Sequence, residues 1–190
     1  MTHKFDFKKK KHLDSKQRQK LLPPYEILAK FGLNNGNVVA DIGADTGYFS
    51  FLASEIVGPE GKVYALDISL EMLNEIEKKI TENNTENIKT VKVTEECLVL
   101  DSGAVDFVFA CNVLHEVNDL VLTIDEIKRI LMLGGNIAII EWKKTRSLFG
   151  PTLKNRLDPA DLSQHLENAG FKNIEKSGIG KTFYALAGTK

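Results

Sequence analysis

Short apolar runs alternate along most of this chain with longer stretches whose apolar positions lie three and four apart. The first run, Val38, Val39, Ala40 and Ile42, is interrupted only by Asp41, as suits a strand buried on both faces of a parallel sheet. A helix is predicted over 48–57, and the turn Gly58-Pro59-Glu60-Gly61 leads to a second strand over 62–66, closed by Asp67. Ser69 predicts an N-cap for a helix running to about 81, with Leu73, Ile76 and Ile80 on one face and Asn83-Asn84-Thr85 as its end. Alternation marks a third strand over 88–93, and 105–110 is a fourth, nearly all apolar. An amphipathic helix over 120–133, stopped by Gly134-Gly135, precedes a fifth strand over 136–141. Upstream, proline in the first turn and Gly32 just past the end predict a short helix over 25–31. A last helix, 159–169, is followed by strands over 171–175 and 182–187, too close together for a helix between them and therefore antiparallel. The alternation predicts a doubly wound α/β sheet, parallel except for that last strand.

Composition adds bounds to this picture. The 190 residues, 43% of them hydrophobic, suit one domain with a sizeable core. No apolar stretch is long enough to span a membrane and the N-terminus lacks the apolar core of a signal peptide, so a cytoplasmic protein without membrane insertion is expected. Cys97 and Cys111 show neither a CxxC nor a Cys/His ligand spacing, so reduced thiols and no metal site are expected. Charge is uneven: the first 20 residues carry eight Lys/Arg and two Asp/Glu, or +6, within a chain of net charge −1. Residues 1–22 are thus set apart as a basic lead-in or lid ahead of a domain over 23–190. The lead-in reads either as a solvated segment or as an arm for an anionic partner.

The stretch from 38 to 50, VVADIGADTGYFS, carries the chemistry. Gly43 and Gly47 let the backbone turn tightly after the first strand and approach a ligand, with the amides of the next helix pointing into the turn. A dinucleotide fingerprint needs G-x-G-x-x-G, but the run from Gly43 is G-A-D-T-G-Y, which places Asp45 and Tyr48 where the second and third glycines would stand. A carboxylate there repels phosphate and tolerates a cationic or zwitterionic ligand.

This D-x-G-x-x-x-G loop resembles the cofactor loop of the class I S-adenosylmethionine-dependent methyltransferases, although that family more often has glycine at the position of Asp45. The segment RILMLGGNIAIIEW looks like the family's "L-K-P-G-G" turn and fifth strand, and LDPADLSQHLENAGF like its final helix and "A-G-F" turn. The resemblance covers about residues 24–188 and is nearest in pattern to small methyltransferases similar to those of ubiquinone and menaquinone biosynthesis. It implies a Rossmann-like methyltransferase fold whose last strand enters the sheet antiparallel between the fifth and sixth, with S-adenosylmethionine as cofactor and S-adenosylhomocysteine as product.

Ligands of open α/β sheets lie outside the carboxyl ends of the strands at the switch point, here between the first and fourth strands. The resemblance and that rule together select Asp41, Gly43, Ala44, Asp45, Thr46 and Gly47, then Asp67 and Ile68, then Thr94 and Glu95, and finally Cys111 and Asn112 as cofactor-binding. Asp67, 20 residues after Gly47, suits a carboxylate accepting two ribose hydroxyls, the alternative being a helix cap; Ile68 suits the adenine face. Thr94 and Glu95 stand where the family often meets adenine with an aspartate and a small residue, against the alternative of a solvated loop. Asp41 either meets the ligand or holds the loop.

The substrate side is thinner in signal. Glu116 follows the fourth strand, and Glu141, Trp142 and Lys143 follow the fifth, so these residues are expected to rim the pocket, with Trp142 either stacking on a flat acceptor or forming wall. His115 is the titratable group near neutrality that can be placed there, and is the candidate general base; its alternative is to cap or line the loop. Arg156 lies in a loop that can fold over the same mouth, the other reading, and the one expected, being a solvated arginine. The chain is expected to methylate a small molecule, the alternative being a catalytically inactive S-adenosylmethionine-binding protein. Cys111-Asn112-Val113-Leu114 in place of Asn-Pro-Pro-Tyr argues against amino methylation of nucleic-acid bases, and two cysteines give little support to an arsenite-type thiol relay. The residues imply no oligomeric state.

Overall fold

The computed structural model describes residues 24–147 and 150–190. The lead-in expected over 1–22 lies outside the described residues. In chain order the helices are α1 (Pro24–Lys30), α2 (Tyr48–Val57), α3 (Leu70–Asn83), α4 (Leu120–Ile130) and α5 (Pro159–Asn168). The strands are β1 (Val38–Ile42), β2 (Lys62–Asp67), β3 (Ile88–Lys92), β4 (Val105–Cys111), β5 (Leu131–Trp142), β6 (Lys172–Ile179) and β7 (Phe183–Thr189).

They form one seven-stranded sheet of order β3-β2-β1-β4-β5-β7-β6. Neighbours run parallel from β3 through β5, while β7 lies antiparallel between β5 and β6. This is the Rossmann-like methyltransferase topology, in a single domain. Because side chains alternate along each strand, the sheet separates two cores. Val39, Ala65, Phe109 and Ile140 pack under α1, α2 and α3, and Ala40, Leu66, Val108 and Ile139 pack under α4 and α5. Asp41, Asp67 and Trp142 follow the first phase and Glu141 the second, which sorts the polar residues at the strand ends onto the two sides of the sheet.

Local signals explain most boundaries. Ser69 caps α3 by accepting from the Met72 amide at 3.3 Å, and Asn84 closes that helix in the left-handed conformation at φ 50°. Asp119 and Asp158 cap α4 and α5. One boundary differs from the expected one: α4 ends at Ile130, not 133. Leu131 is already extended at φ −74°, ψ 134° and pairs with Val105, after which the register jumps to Phe107↔Asn136. Gly134, at φ +78°, therefore turns a strand irregularity instead of stopping a helix. The apolar run Leu131-Met132-Leu133 satisfies a helical period, but Leu133 is 83% exposed, so no helical face gains by burying it. The edge strand β6 extends beyond the expected 175 through its pairing with β7 as far as Ile179↔Phe183, and its largely exposed side chains give no apolar period from which to read that.

Candidate functional site: the carboxyl ends of β1, β2, β4 and β5

The loop after β1 is shaped by three left-handed residues: Gly43 at φ 67°, Asp45 at φ 53° and Gly47 at φ 83°. Aspartate tolerates that region better than most residues, so Asp45 can take the left-handed conformation that glycine adopts freely. A Cβ at Gly43 would lie 2.7 Å from Val113 Cγ2, and one at Gly47 would lie 2.9 Å from the Phe51 ring. The loop is tied down on both sides. The Gly43 and Ala44 amides donate to the Leu66 carbonyl at 2.9 and 3.0 Å, and Lys79 Nζ on α3 donates to the Thr46 carbonyl at 2.8 Å. Asp41 is buried and accepts from the Ser50 hydroxyl at 2.6 Å, so it anchors the start of α2.

Asp67 joins this loop to β2. Its Oδ2 accepts from the Asp45 amide at 3.0 Å and its Oδ1 from the Ser69 amide at 2.8 Å. Burial pushes its carboxyl above the ordinary value, against the lowering effect of those amides and of Lys92. Ser69, not Asp67, is the N-cap of α3. Ile68, next to it, is an exposed apolar side chain at 38%.

Beyond β3, Thr94 Oγ1 accepts from the Cys97 amide at 3.1 Å. Glu95 is occupied with Asn118, accepting from its amide at 2.9 Å and from Nδ2 at 2.7 Å. The structure thus uses Glu95 to tie the loop after β3 to the segment before α4. Cys97 is exposed and Cys111 buried, and no disulfide joins them.

The end of β4 turns sharply at Asn112, φ 57°, whose amide donates to the Ile140 carbonyl at 2.8 Å. Its side-chain Oδ1 is buried and has no hydrogen-bond partner among the described residues. A 3₁₀ turn, Leu114–Glu116, follows. There His115 Nδ1 lies 2.8 Å from Glu141 Oε2, and the His115 amide donates to Glu141 Oε1 at 3.3 Å. Glu116 Oε1 lies 3.6 Å from His115 Nε2. Burial lowers the His115 pKa, but the bond to Glu141 and the charges of Glu141 and Glu116 outweigh it, so the imidazole is held above its ordinary value despite the positive charge of Arg156 nearby. Sequence spacing could not have paired His115 with Glu141, which stand 26 positions apart on different strand ends.

Trp142 is half-buried, with its ring 4.5 Å from that of Phe183 and the Arg156 guanidinium 5.4 Å above it. Arg156, expected in solvent, is 4% exposed. It donates from Nε to the Pro151 carbonyl at 3.0 Å, from Nη1 to the Lys143 and Thr145 carbonyls at 2.9 and 2.7 Å, and from Nη2 to Ser147 Oγ at 2.6 Å. One guanidinium, anchored on Trp142, gathers the chain after β5. An open depression of about 550 Å³ beside it is lined by Arg146, Ser147, Gly150, Pro151, Leu153 and Arg156, among others.

The chain is similar to a solved S-adenosylmethionine-dependent methyltransferase from Aquifex aeolicus, with a TM-score of 0.92 and 32% identity over 97% of this chain and 98% of that one. Fold and comparison together define an S-adenosylmethionine-dependent methyltransferase. The model of the ubiE/COQ5 methyltransferase family matches residues 24–154, and the chain belongs to that family. Among curated relatives, the ubiquinone/menaquinone biosynthesis C-methyltransferase of Francisella philomiragia is 29% identical over 85% of this chain and 77% of its own length. A demethylmenaquinone methyltransferase from Lactococcus lactis is 32% identical over 61% of this chain and 46% of its own. Among the described residues no helix is long and apolar enough to cross a membrane.

Proposed function

We propose that this enzyme methylates a small-molecule acceptor with an acidic hydroxyl, of the quinone-precursor type suggested by the names of its relatives, and that His115 receives the acceptor's proton. The observation that carries this reading is the His115–Glu141 pair at the carboxyl ends of β4 and β5. The residues present fit S-adenosylmethionine: the buried, unpartnered Oδ1 of Asn112 calls for a donor such as an ammonium group, and Asp67 offers a carboxylate for ribose hydroxyls. The Gly43, Ala44 and Asp45 amides, bonded to Leu66 and Asp67, are spent within the protein, so Thr46 would meet the methionyl end, and Ile68 and the segment Thr94-Glu95 would flank the adenine. The bound cofactor supplies a methyl group on a sulfonium, already activated for displacement.

What the protein must add is alignment in a water-poor pocket and a place for one proton. The acceptor hydroxyl gives its proton to Nε2 of His115, the nitrogen turned away from Glu141, and the resulting oxyanion, or the ring carbon it activates, becomes the nucleophile; in the second case the methylated carbon loses its hydrogen as a proton and the oxygen regains one, which restores the ring with one proton released in net. The positive imidazolium then stands beside two carboxylates, which stabilise it. Arg156 keeps the wall behind the acceptor closed by holding the chain after β5 against Trp142.

The test is incubation with methyl-labelled S-adenosylmethionine and a panel holding demethylmenaquinone-type quinols, simple phenols, primary amines and arsenite, with mass detection of labelled products. Label in the quinol or phenol arm is expected. Label confined to the amine or arsenite arm overturns the reading.

A further inference from the structure

Glu141 stands out in its strand. It follows Ile139 and Ile140, is 0% exposed, and faces Tyr184 across the β5–β7 pairing. A buried carboxylate is strongly unfavourable unless it is well partnered, and its partners centre on one residue. Oε2 meets the His115 ring nitrogen at 2.8 Å and Oε1 takes the His115 amide at 3.3 Å, with the Trp142 amide a longer donor at 3.4 Å. An ionised carboxylate can only accept, so this contact determines which ring nitrogen carries the hydrogen. We infer that Glu141 is the positioning residue of the site: it pins the His115 proton on Nδ1 and holds the ring by its backbone as well, so that Nε2 is presented to the acceptor as the basic nitrogen. This rests on the proposed role of His115.

The other charged groups around the ring fit that arrangement. Glu116, on the same 3₁₀ turn, approaches Nε2 at 3.6 Å, beyond hydrogen-bond distance, and with its side chain 26% exposed it can give way to an acceptor oxygen. Arg156, from the chain after β5, brings a positive charge that opposes protonation. Tyr184, from β7, donates to the Leu157 carbonyl at 3.1 Å, and burial together with the charge of Glu141 holds its phenol well above the ordinary value, so it stays neutral and does not compete for the proton.

The experiment is nitrogen-15 NMR of the imidazoles in the full chain, above the His115 titration, with His115→Gln used to assign the resonance. Wild type is expected to show the Nδ1–H tautomer at His115. Glu141→Gln, which keeps size and an acceptor but not the charge, is expected to mix the tautomers and to lower the His115 midpoint by about one unit or more. It should lower kcat for the labelled acceptor by about 10²-fold while KM and S-adenosylhomocysteine affinity stay within about twofold, and Glu141→Asp, which keeps the charge, should recover part of kcat. A wild-type ring protonated at Nε2, or a tautomer unchanged in Glu141→Gln, overturns the inference. So does a variant with mixed tautomers that turns over at the wild-type rate, since the pair is then merely structural. If Glu141→Gln does not fold, as judged by S-adenosylhomocysteine binding, the wild-type tautomer and Glu141→Asp decide. Failure of every hydroxyl-bearing acceptor with wild type strikes the proposed function instead, while the tautomer still decides whether Glu141 pins the proton.

Discussion

The two halves of the site are built by different means. Around β1 and β2 the shape comes from the backbone: three left-handed residues within five positions, amides bonded to the carbonyl of Leu66, and Asp67 holding two further amides. Around β4 and β5 it comes from long side chains that reach across sequence, Glu141 to His115 and Arg156 to Lys143, Thr145, Ser147 and Pro151. A backbone-built site serves a ligand that does not change; a side-chain-built site can be altered one residue at a time without disturbing the sheet. On the proposed function, the β1–β2 half would take the cofactor and the β4–β5 half the acceptor.

That contrast can be broken most sharply at His115. His115→Ala should lower turnover by about 10²–10⁴-fold while calorimetric affinity for S-adenosylhomocysteine is retained; a parallel loss of affinity would mean that the halves are not separate. On the opposite side, Asp67→Ala should weaken S-adenosylhomocysteine binding by about 1.5–3 kcal/mol, the usual range for a hydrogen bond to a charged group. Unchanged affinity in a folded variant would remove Asp67 from the ligand.

Stability offers two finer cuts. Arg156→Lys keeps the charge but not the fork that spans several carbonyls, and chemical denaturation should show a loss of about 1–3 kcal/mol, centred on the acceptor half. Asp45→Ala should cost about 1–2 kcal/mol more than Asp45→Gly, since both remove the side chain and only glycine adopts the left-handed backbone freely.

The pH dependence follows from His115, whose folded pKa is raised above the ordinary 6.5. Protonation is thereby favoured in the folded state. The contribution is fully present below about 6.5, where the unfolded imidazole is also charged, and is lost as pH rises through the higher folded value. Melting temperature measured across that window should fall with rising pH and flatten in His115→Gln, and the acid limb of the pH–rate profile should lie above 6.5 for the same reason.

Legibility in the sequence divides along the same line. The cofactor half announces itself because glycines and an acidic residue at a strand end have local meanings: β1 and α2 occupy the expected positions, and Gly43, Gly47 and Asp67 need no distant partner to be noticed. Asp45 could be seen as a departure, but only its φ of 53° shows that it fills a glycine's conformational role. On the acceptor side, His115 and Glu141 could each be placed at a strand end, yet their contact depends on the relative phase of β4 and β5. Arg156 gave no local signal at all, since an arginine in a polar loop looks the same whether it is solvated or folded inward over a tryptophan. The α4–β5 junction misled because a run of three apolar residues suits either period.

Gly43 and Val113 meet where the loop after β1 touches the turn after β4, a Cβ at 43 falling 2.7 Å from Val113 Cγ2. In evolutionary terms this makes the order of substitutions matter. A side chain at 43 is crowded out while valine stands at 113, and shrinking 113 first relieves that crowding but leaves the strain of φ 67°. The two effects do not add, as is usual for residues in contact. Position 43 therefore waits on position 113, and a lineage that reshapes the turn bearing Asn112 and His115 changes which residues the loop after β1 can accept.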